Sequence, residues 1–354
     1  MCARKKRSPK APKPKNARPT LADVARDSGV SKSAASLALS SGEDDCPLLP
    51  ATRKRILASA RKLGYRRNWR GSALAQNATR MVGWVTTRPM PYMGRVYADM
   101  SMALAERLWR DRYHLTFVPV TEDTRAWQDP LLDGRLDGCI VIDHVPEEVY
   151  PILEAAGIPV VFMNATSDRK LSQILADDRE GMTLAMKHLR ELGHERIWFY
   201  HGSVKTYGDR SKSAPHYSRV WREETYKKEM SSSGARALWG DPGEVMDQIR
   251  SKNGPTAVIT YSDGEAIAIL RQMWERELRA PRDLSIVAFN DVHPVAEIGP
   301  PLTTVRVPSW EIGRTGAEVL LKHISGEVKG PQRMVLPETL IVRKSTAAPE
   351  SPES

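Results

Sequence analysis

The sequence predicts a small all-α head followed by a two-lobe α/β body. Three observations carry this reading: an abrupt change of charge near residue 80, three short helical patterns between residues 20 and 64, and a long alternation of apolar runs with amphipathic stretches from Met81 onward. Residues 1–80 hold 19 Lys and Arg against 5 Asp and Glu, whereas the rest hold 34 against 38. The net charge of +10 over 354 residues therefore lies wholly in the first quarter. A basic folded segment on a mildly acidic body is the footprint of an element that meets phosphates.

Residues 1–19 are rich in Lys, Arg and Pro with no apolar run behind them, which predicts a disordered basic arm and neither a signal peptide nor a membrane anchor. No later stretch reaches transmembrane length. A first helix starts after Thr20, the capping residue, with Asp23 at the capping-box position. Gly29 ends it, and Ser31 caps a second helix at once, so the two must cross steeply. That second helix, SKSAASLALS, carries little apolar volume for a core helix. Its pattern turns Ala35, Ala38 and Leu39 toward the neighbouring helices and Lys32, Ser33, Ser36 and Leu37 outward. Pro50, then Ile56, Ala60 and Leu63 at helical spacing, then Gly64 mark a third helix. Together these make a helix-turn-helix head over residues 20–65, in which the second helix is the one that enters a major groove. The following RRNWRGSALAQNATR has little periodicity and reads as a linker, residues 66–80.

From Met81 the runs MVGWV, HLTFVPV, GCIVI, IPVVFM, RIWFY, TAVITY and LSIVAF alternate with helical stretches such as YADMSMALAERLWRD, MTLAMKHLREL and EAIAILRQMWEREL. Such alternation predicts parallel sheets with helices on both faces, and the strands are too many for one sheet. Nucleotide-phosphate glycine motifs, a GxSxG elbow and an HExxH pair are missing. Cys2, Cys46 and Cys139 are odd in number and widely spaced, which predicts reduced thiols in a cytoplasmic protein. His188 and His194, six apart at a helix end, read as structural residues and not as metal ligands.

TLADVARDSGVSKSAASLAL, then TRKRILASARKLGY, then a linker with Asn68 and Leu74, resemble the DNA-binding head and hinge of the LacI/GalR family of bacterial transcription regulators. The resemblance continues through DDREGMTLAMKHLRELGHERI, AVITYSDGEAIAIL, LRAPRDLSIVAFNDV, PPLTTVRVP and IVRKST, covering about Thr20 to Thr346. It implies a periplasmic-binding-protein-like, effector-binding and dimerisation core over residues 81–346, with a disordered tail at 347–354. It also implies DNA contacts from Thr20, Ser31, Lys32, Ser33, Ser36, Leu37 and Asn68, and a wedge into the minor groove from Leu74. Arg67, Gly71 and Ser72 depart from the family's hinge pattern. Glycine in place of alanine in a helix costs about 1 kcal/mol, so the hinge helix is expected to form less readily than is usual in the family. The loop SGEDDCPLLP is longer than its counterpart, and its acids Glu43, Asp44 and Asp45 are expected to face away from DNA.

In the core the resemblance places effector contacts at Tyr92, Tyr97, Arg222, Asp263 and Asn290, with Arg219 the other register for the arginine. Ser262 replaces the Asn that usually precedes Asp263, and Asn290 replaces an Asp, exchanging a pure acceptor for a group that also donates. The insertion-like SVKTYGDRSKSAPHYSRVW brings tyrosines and His216 toward the cleft mouth. The implied protein is a homodimeric repressor of carbohydrate-use genes that binds double-stranded operator DNA and a sugar-like effector, with no cofactor, no metal and no membrane partner. A solute-binding protein without a DNA role would share the body, but the basic head and missing signal peptide argue against it. An enzyme on the same scaffold would need a nucleophile, metal or cofactor motif that the sequence lacks.

Overall fold

The computed structural model describes residues 18–41, 46–76, 78–87, 95–121, 124–142, 144–202, 215–235, 237–238, 240, 242–292 and 294–350. These fall into two compact units that divide between Thr79 and Arg80. Residues 1–17 of the expected arm, the acids Glu43, Asp44 and Asp45, Tyr92, residues 203–214 of the insertion-like stretch and residues 351–354 lie outside the described residues.

The first unit contains α1 (Leu21–Asp27), α2 (Lys32–Ser40), α3 (Pro50–Lys62) and α4 (Trp69–Gln76). At the start of α1 the Asp23 carboxylate accepts both the backbone N–H (2.9 Å) and the hydroxyl (2.7 Å) of Thr20. Gly29 takes φ +64°, the left-handed geometry that lets the chain reverse, and the Val30 N–H closes on the Ala25 carbonyl at 2.9 Å. Ser31 accepts from the Ala34 N–H at 3.1 Å and opens α2. The three helices enclose a core of Val24, Ala25, Ala35, Ala38, Ile56 and Ala60. Four of those six residues are alanine, so the short helices can approach closely. Polar ties lock the packing: Arg55 donates to the Ser28 carbonyl at 3.0 Å, and Ser59 (2.7 Å) and Lys62 (2.8 Å) both donate to Asp27, holding its carboxyl below the usual range. In α4 the Trp69 indole N–H donates to the Thr79 carbonyl at 2.9 Å.

The second unit holds β1 (Met81–Thr86), α5 (Arg95–Arg110), β2 (His114–Pro119), α6 (Asp129–Leu132), β3 (Gly138–Ile142), α7 (Tyr150–Ala155), β4 (Val160–Met163), β5 (Ser172–Ala176), α8 (Asp178–Glu191), β6 (Ile197–Tyr200), α9 (Tyr217–Ser232), α10 (Pro242–Gln248), β7 (Ala257–Thr260), α11 (Asp263–Glu275), β8 (Ser285–Asn290), β9 (Thr303–Arg306), α12 (Ser309–Ile324), β10 (Arg333–Leu336) and β11 (Thr339–Ile341). Two sheets form, in the orders β10-β5-β4-β3-β1-β2 and β11-β9-β8-β7-β6. All pairings are parallel except β11 with β9. Each sheet is covered on both faces: in the first lobe Val82, Trp84 and Ile140 join one apolar cluster and Val85, Cys139 and Val141 the other. This is why the strands read as nearly continuous apolar runs instead of alternating ones.

The chain crosses between lobes three times, at Asp177, at Val307-Pro308 and at Pro337-Glu338. The Asp177 N–H donates to the Leu336 carbonyl at 2.8 Å, tying the first crossing to the third. Strands β5, β9, β10 and β11 and helices α9 and α12 are not singled out by hydrophobic runs. Ser172, Gln173, Thr303 and Thr304 dilute the strand signal although all four are buried. Helix α12 is interrupted by Gly313 and Gly316, which allow its close approach to α5 and β4. A Cβ on Gly313 would fall 2.2 Å from the Met100 carbonyl oxygen, and one on Gly316 would fall 2.3 Å from the Met163 sulfur.

Ala347, expected to open a disordered tail, is instead held against the second lobe. Its N–H donates to Ser285 Oγ at 3.0 Å, and its carbonyl accepts from His194 Nε2 at 2.8 Å. His194 also meets Thr256 at 2.9 Å, and His188 meets Thr346 at 2.9 Å, so both rings anchor the carboxyl-terminal segment. Burial holds both imidazoles below their ordinary pKa, favouring the neutral rings these bonds use. Replacing Gly313 by Ala should destabilise the core by about 1–3 kcal/mol through overpacking against the Met100 backbone. A lowered urea midpoint is expected, and an unchanged one would contradict the close approach.

Candidate functional site

The head presents one coherent outer surface. Ser31, Lys32 and Ser33 are exposed at the start of α2, Ser36 is half-buried and Leu37 is exposed, while Ala35 and Ala38 on the other side are buried. The spacing 32, 33, 36, 37 places these four on one helical face. Thr20 is exposed at the start of α1, with its hydroxyl already donating to Asp23. Asn68 is exposed immediately before α4, and the Leu74 side chain on α4 is 89% exposed. An isolated leucine so exposed on a short helix gains nothing from the protein's own core. Space around Gly71 is open, since nothing lies within 4 Å of where its Cβ would be.

In the second unit, the carboxyl ends of the strands in the two lobes are brought together along the crossings, which is where open α/β sheets receive ligands. The amino-terminal turns of α9 span this seam. His216, just before α9, donates from Nε2 to the Asn164 carbonyl at 2.7 Å and accepts at Nδ1 from the Ser218 N–H at 3.3 Å. Tyr217 donates to the Asn164 side-chain oxygen at 3.0 Å and accepts from the Ala176 N–H at 3.1 Å. A crevice lined by His144, Ala165, Thr166, Pro215, His216 and Tyr217 lies beside these contacts. One turn on, the Trp221 ring packs under the Arg179 guanidinium at 4.1 Å and faces Arg333 of the first lobe at 5.9 Å.

Arg222 lies at the centre of the seam. Its guanidinium donates to Asp178 Oδ1 from Nε (2.6 Å) and approaches the same oxygen from Nη2 (2.5 Å), and it donates from Nη1 to the Tyr261 carbonyl at 2.6 Å. Its carbon sits 3.8 Å from the Phe289 ring centre. The Glu338 carboxyl stands 3.6 Å from Nη2. Arg222, Asp178 and Glu338 are all buried, so the guanidinium at this position is committed to the protein itself. Neither Asp178 nor Glu338 is among the site residues expected from the sequence. Asp178 follows an apolar run next to a second acid, a visible hint, whereas Glu338 lies in a Pro-Glu-Thr stretch with no local signal.

Asp263, at the start of α11, accepts from the Val292 N–H at 2.8 Å and from the Thr304 hydroxyl at 3.3 Å. Burial pushes its carboxyl up to about 7, against those two donors. One oxygen thus serves the loop after β8 and the other serves β9. Asn290, half-buried at the end of β8, adopts φ +105°, and Asp291 after it is held by Arg306 (2.7 Å) and Arg343 (2.7 Å). Tyr97 is half-buried against the first-lobe core, and Tyr92 lies outside the described residues. The structure therefore brings Arg222, Asp263 and Asn290 to the same end of the second sheet through the ends of β7 and β8. Among the described residues no group of His, Cys, Asp and Glu is placed to hold a metal ion, and no helix is long and apolar enough to cross a membrane.

Residues 186–346 match the model of a periplasmic binding protein-like domain. The chain is similar to the HTH-type transcriptional regulator MalR of Streptomyces coelicolor, 28% identical over 343 residues that cover 93% of this chain and 96% of the relative. In fold it is similar to the Lac repressor dimer solved with operator and an anti-inducer, with TM-score 0.76 and 22% identity over 94% of this chain and all of that one. It is likewise similar to the transcriptional regulator CelR solved with cellobiose, with TM-score 0.62 and 24% identity over 93% of this chain and all of that one.

The open surroundings of Gly71 generate a direct expectation for the hinge. Gly71→Ala adds helix propensity of about 1 kcal/mol without a clash, so DNA affinity should rise by roughly fivefold per hinge helix. Fluorescence anisotropy on a selected binding sequence measures this, and unchanged or weaker binding would contradict it. With a helix-turn-helix head, a hinge helix carrying an exposed leucine and two sheet lobes crossed three times by the chain, this protein has the make-up of an HTH-type transcriptional regulator, the class of the relative that it matches over nearly its whole length.

Proposed function

We propose that the protein is a cytoplasmic, homodimeric repressor of carbohydrate-use genes, which binds a pseudo-palindromic operator through two heads and answers to a sugar-like effector between its lobes. The observation that carries the DNA role is the single outer face of α2, with Ser31, Lys32, Ser33, Ser36 and Leu37 turned away from the small head core. Lys32 donates to guanine, Ser33 is permissive, and Leu37 fits a thymine methyl. Leu74 acts as the minor-groove wedge, with Thr20 and Asn68 contributing backbone contacts. The effector class is supported by the relative solved with cellobiose and by the crevice beside Asn164, where carbonyl, hydroxyl and imidazole groups suit hydroxyl-bearing ligands. Effector binding would favour one closure of the lobes and thereby change the population of DNA-competent dimers.

Dimerisation is supported by large apolar side chains left exposed on both lobes: Met102, Trp109 and Phe117 on the first, Ile267 and Trp274 on the second. Trp109 and Trp274 are 67% and 71% exposed, more than packing within one chain explains. In sedimentation, Trp109→Arg combined with Trp274→Arg should give a monomer. A persisting dimer would place the interface elsewhere.

The regulator reading is tested on DNA selected from random sequence or taken from the promoters beside its own gene. Binding should weaken steeply with salt, because roughly one counterion leaves per neutralised phosphate. Lys32→Ala should cost about 1–3 kcal/mol and relax the preference at one base pair. Leu74→Ala should weaken specific binding far more than binding to random DNA. A shallow salt slope, or equal losses on both kinds of DNA, would count against the reading.

A further inference from the structure

The cluster at the lobe seam contains more acid than base. Asp178 Oδ1 takes both short contacts from Arg222, while Asp178 Oδ2 and both oxygens of Glu338 have no hydrogen-bond partner among the described residues. The Glu338 side chain is completely buried, and its nearest cationic atom is Arg222 Nη2 at 3.6 Å. On its other side the carboxyl presses on the backbone of α8: a Cβ on Gly181 would fall 1.7 Å from Glu338 Oε2.

The groups that act on Glu338 are, from the start of α8, Asp177, Asp178 and Glu180, and, from α9, Arg222. Tyr217, also of α9, feels Glu338 in turn. Three of these are acids, and the one guanidinium already serves Asp178. His216 lies farther out and acts on Asp178. Two carboxylates on one guanidinium would leave an uncompensated buried charge, which a protein avoids by keeping one of the acids neutral. Asp178 holds the shorter contacts, so the proton belongs on Glu338. Burial and the Asp178 charge both drive the Glu338 carboxyl well above its usual range.

Glu338 is also the residue at which the chain makes its third crossing, next to the Leu336 carbonyl that receives the Asp177 N–H of the first. Ionisation would therefore add a charge where two of the three crossings meet α9. We propose that Glu338 carries a proton in this arrangement of the lobes, and that its loss loosens the seam, so that a proton acts as a structural ligand of the interlobe hinge.

Infrared spectroscopy of the purified full-length chain tests this, on wild type, Glu338→Gln and Asp263→Asn. Asp263 is included because it is a second buried carboxyl pushed up to about 7, and spectra are taken well above that pH. Wild type should show a protonated-carboxyl band that shifts in heavy water, is lost in Glu338→Gln, and survives in Asp263→Asn. Absence of the band from wild type, or its persistence in Glu338→Gln, would overturn the proposal. Unfolding equilibria supply an independent readout. A carboxyl whose pKa is raised by folding stabilises fully below its unfolded value, about 4.3, and that contribution is lost as the pH rises through the folded value. Between those limits the wild-type folding constant should fall about tenfold per pH unit relative to Glu338→Gln. Parallel pH dependences would refute the assignment. If Glu338→Gln does not fold, Asp178→Asn replaces it. That change frees Arg222 for Glu338 alone, which then ionises, so the band should again vanish, and a surviving band would overturn the proposal.

Discussion

One buried guanidinium holds the two lobes in register. Arg222 reaches from α9 to Asp178 at the first chain crossing, to the Tyr261 carbonyl at the end of β7 and toward Glu338 at the third crossing, with the Phe289 ring against its face. Low dielectric makes each of these contacts strong and makes the loss of any partner expensive. The rest of the seam is arranged around it. His216 and Tyr217 grip Asn164 one turn earlier, and Trp221 sits between Arg179 and Arg333. Any molecule that enters between the lobes must work with this arrangement or displace it.

The head obeys a different constraint. Its core is mostly alanine, and its ties are polar: Asp27 with Ser59 and Lys62, and Arg55 with the Ser28 carbonyl. A short helix that must project one face into a groove cannot carry bulk on every side, and a small core lets it sit close to its two partners. The stability that apolar volume would supply comes partly from capping, at Asp23 and Ser31, where backbone N–H groups would otherwise lack partners.

Most of the head was legible in the sequence because its signals are local. A cap, a glycine at positive φ and helical spacing each act within a few residues, and Thr20, Gly29 and Ser31 carry them. The body was legible where strands are covered on both faces, as in MVGWV or GCIVI, and illegible where burial is polar. Thr303 and Thr304 of β9 are fully buried yet look like loop residues, because the partners of their hydroxyls, Thr346 and the Arg343 N–H for Thr303 and Asp263 for Thr304, lie far away in the chain. The seam was the least legible part. Arg222 could be recognised as a candidate from its motif, but what it touches depends on Asp178 and Glu338, 44 residues before it and more than a hundred after it.

The threefold crossing has a consequence for how the protein is made. The first sheet takes β10 as its edge strand beside β5, and α12 covers one of its faces, yet both are encoded after the whole of the second sheet except β11. A ribosome that has delivered β1 to β5 has therefore produced a sheet with one apolar face incompletely covered, and some 130 further residues separate that point from the start of α12. The head, complete by Thr79, needs none of this and is free to fold first. During synthesis the part equipped to read DNA is thus finished long before the part that would control it.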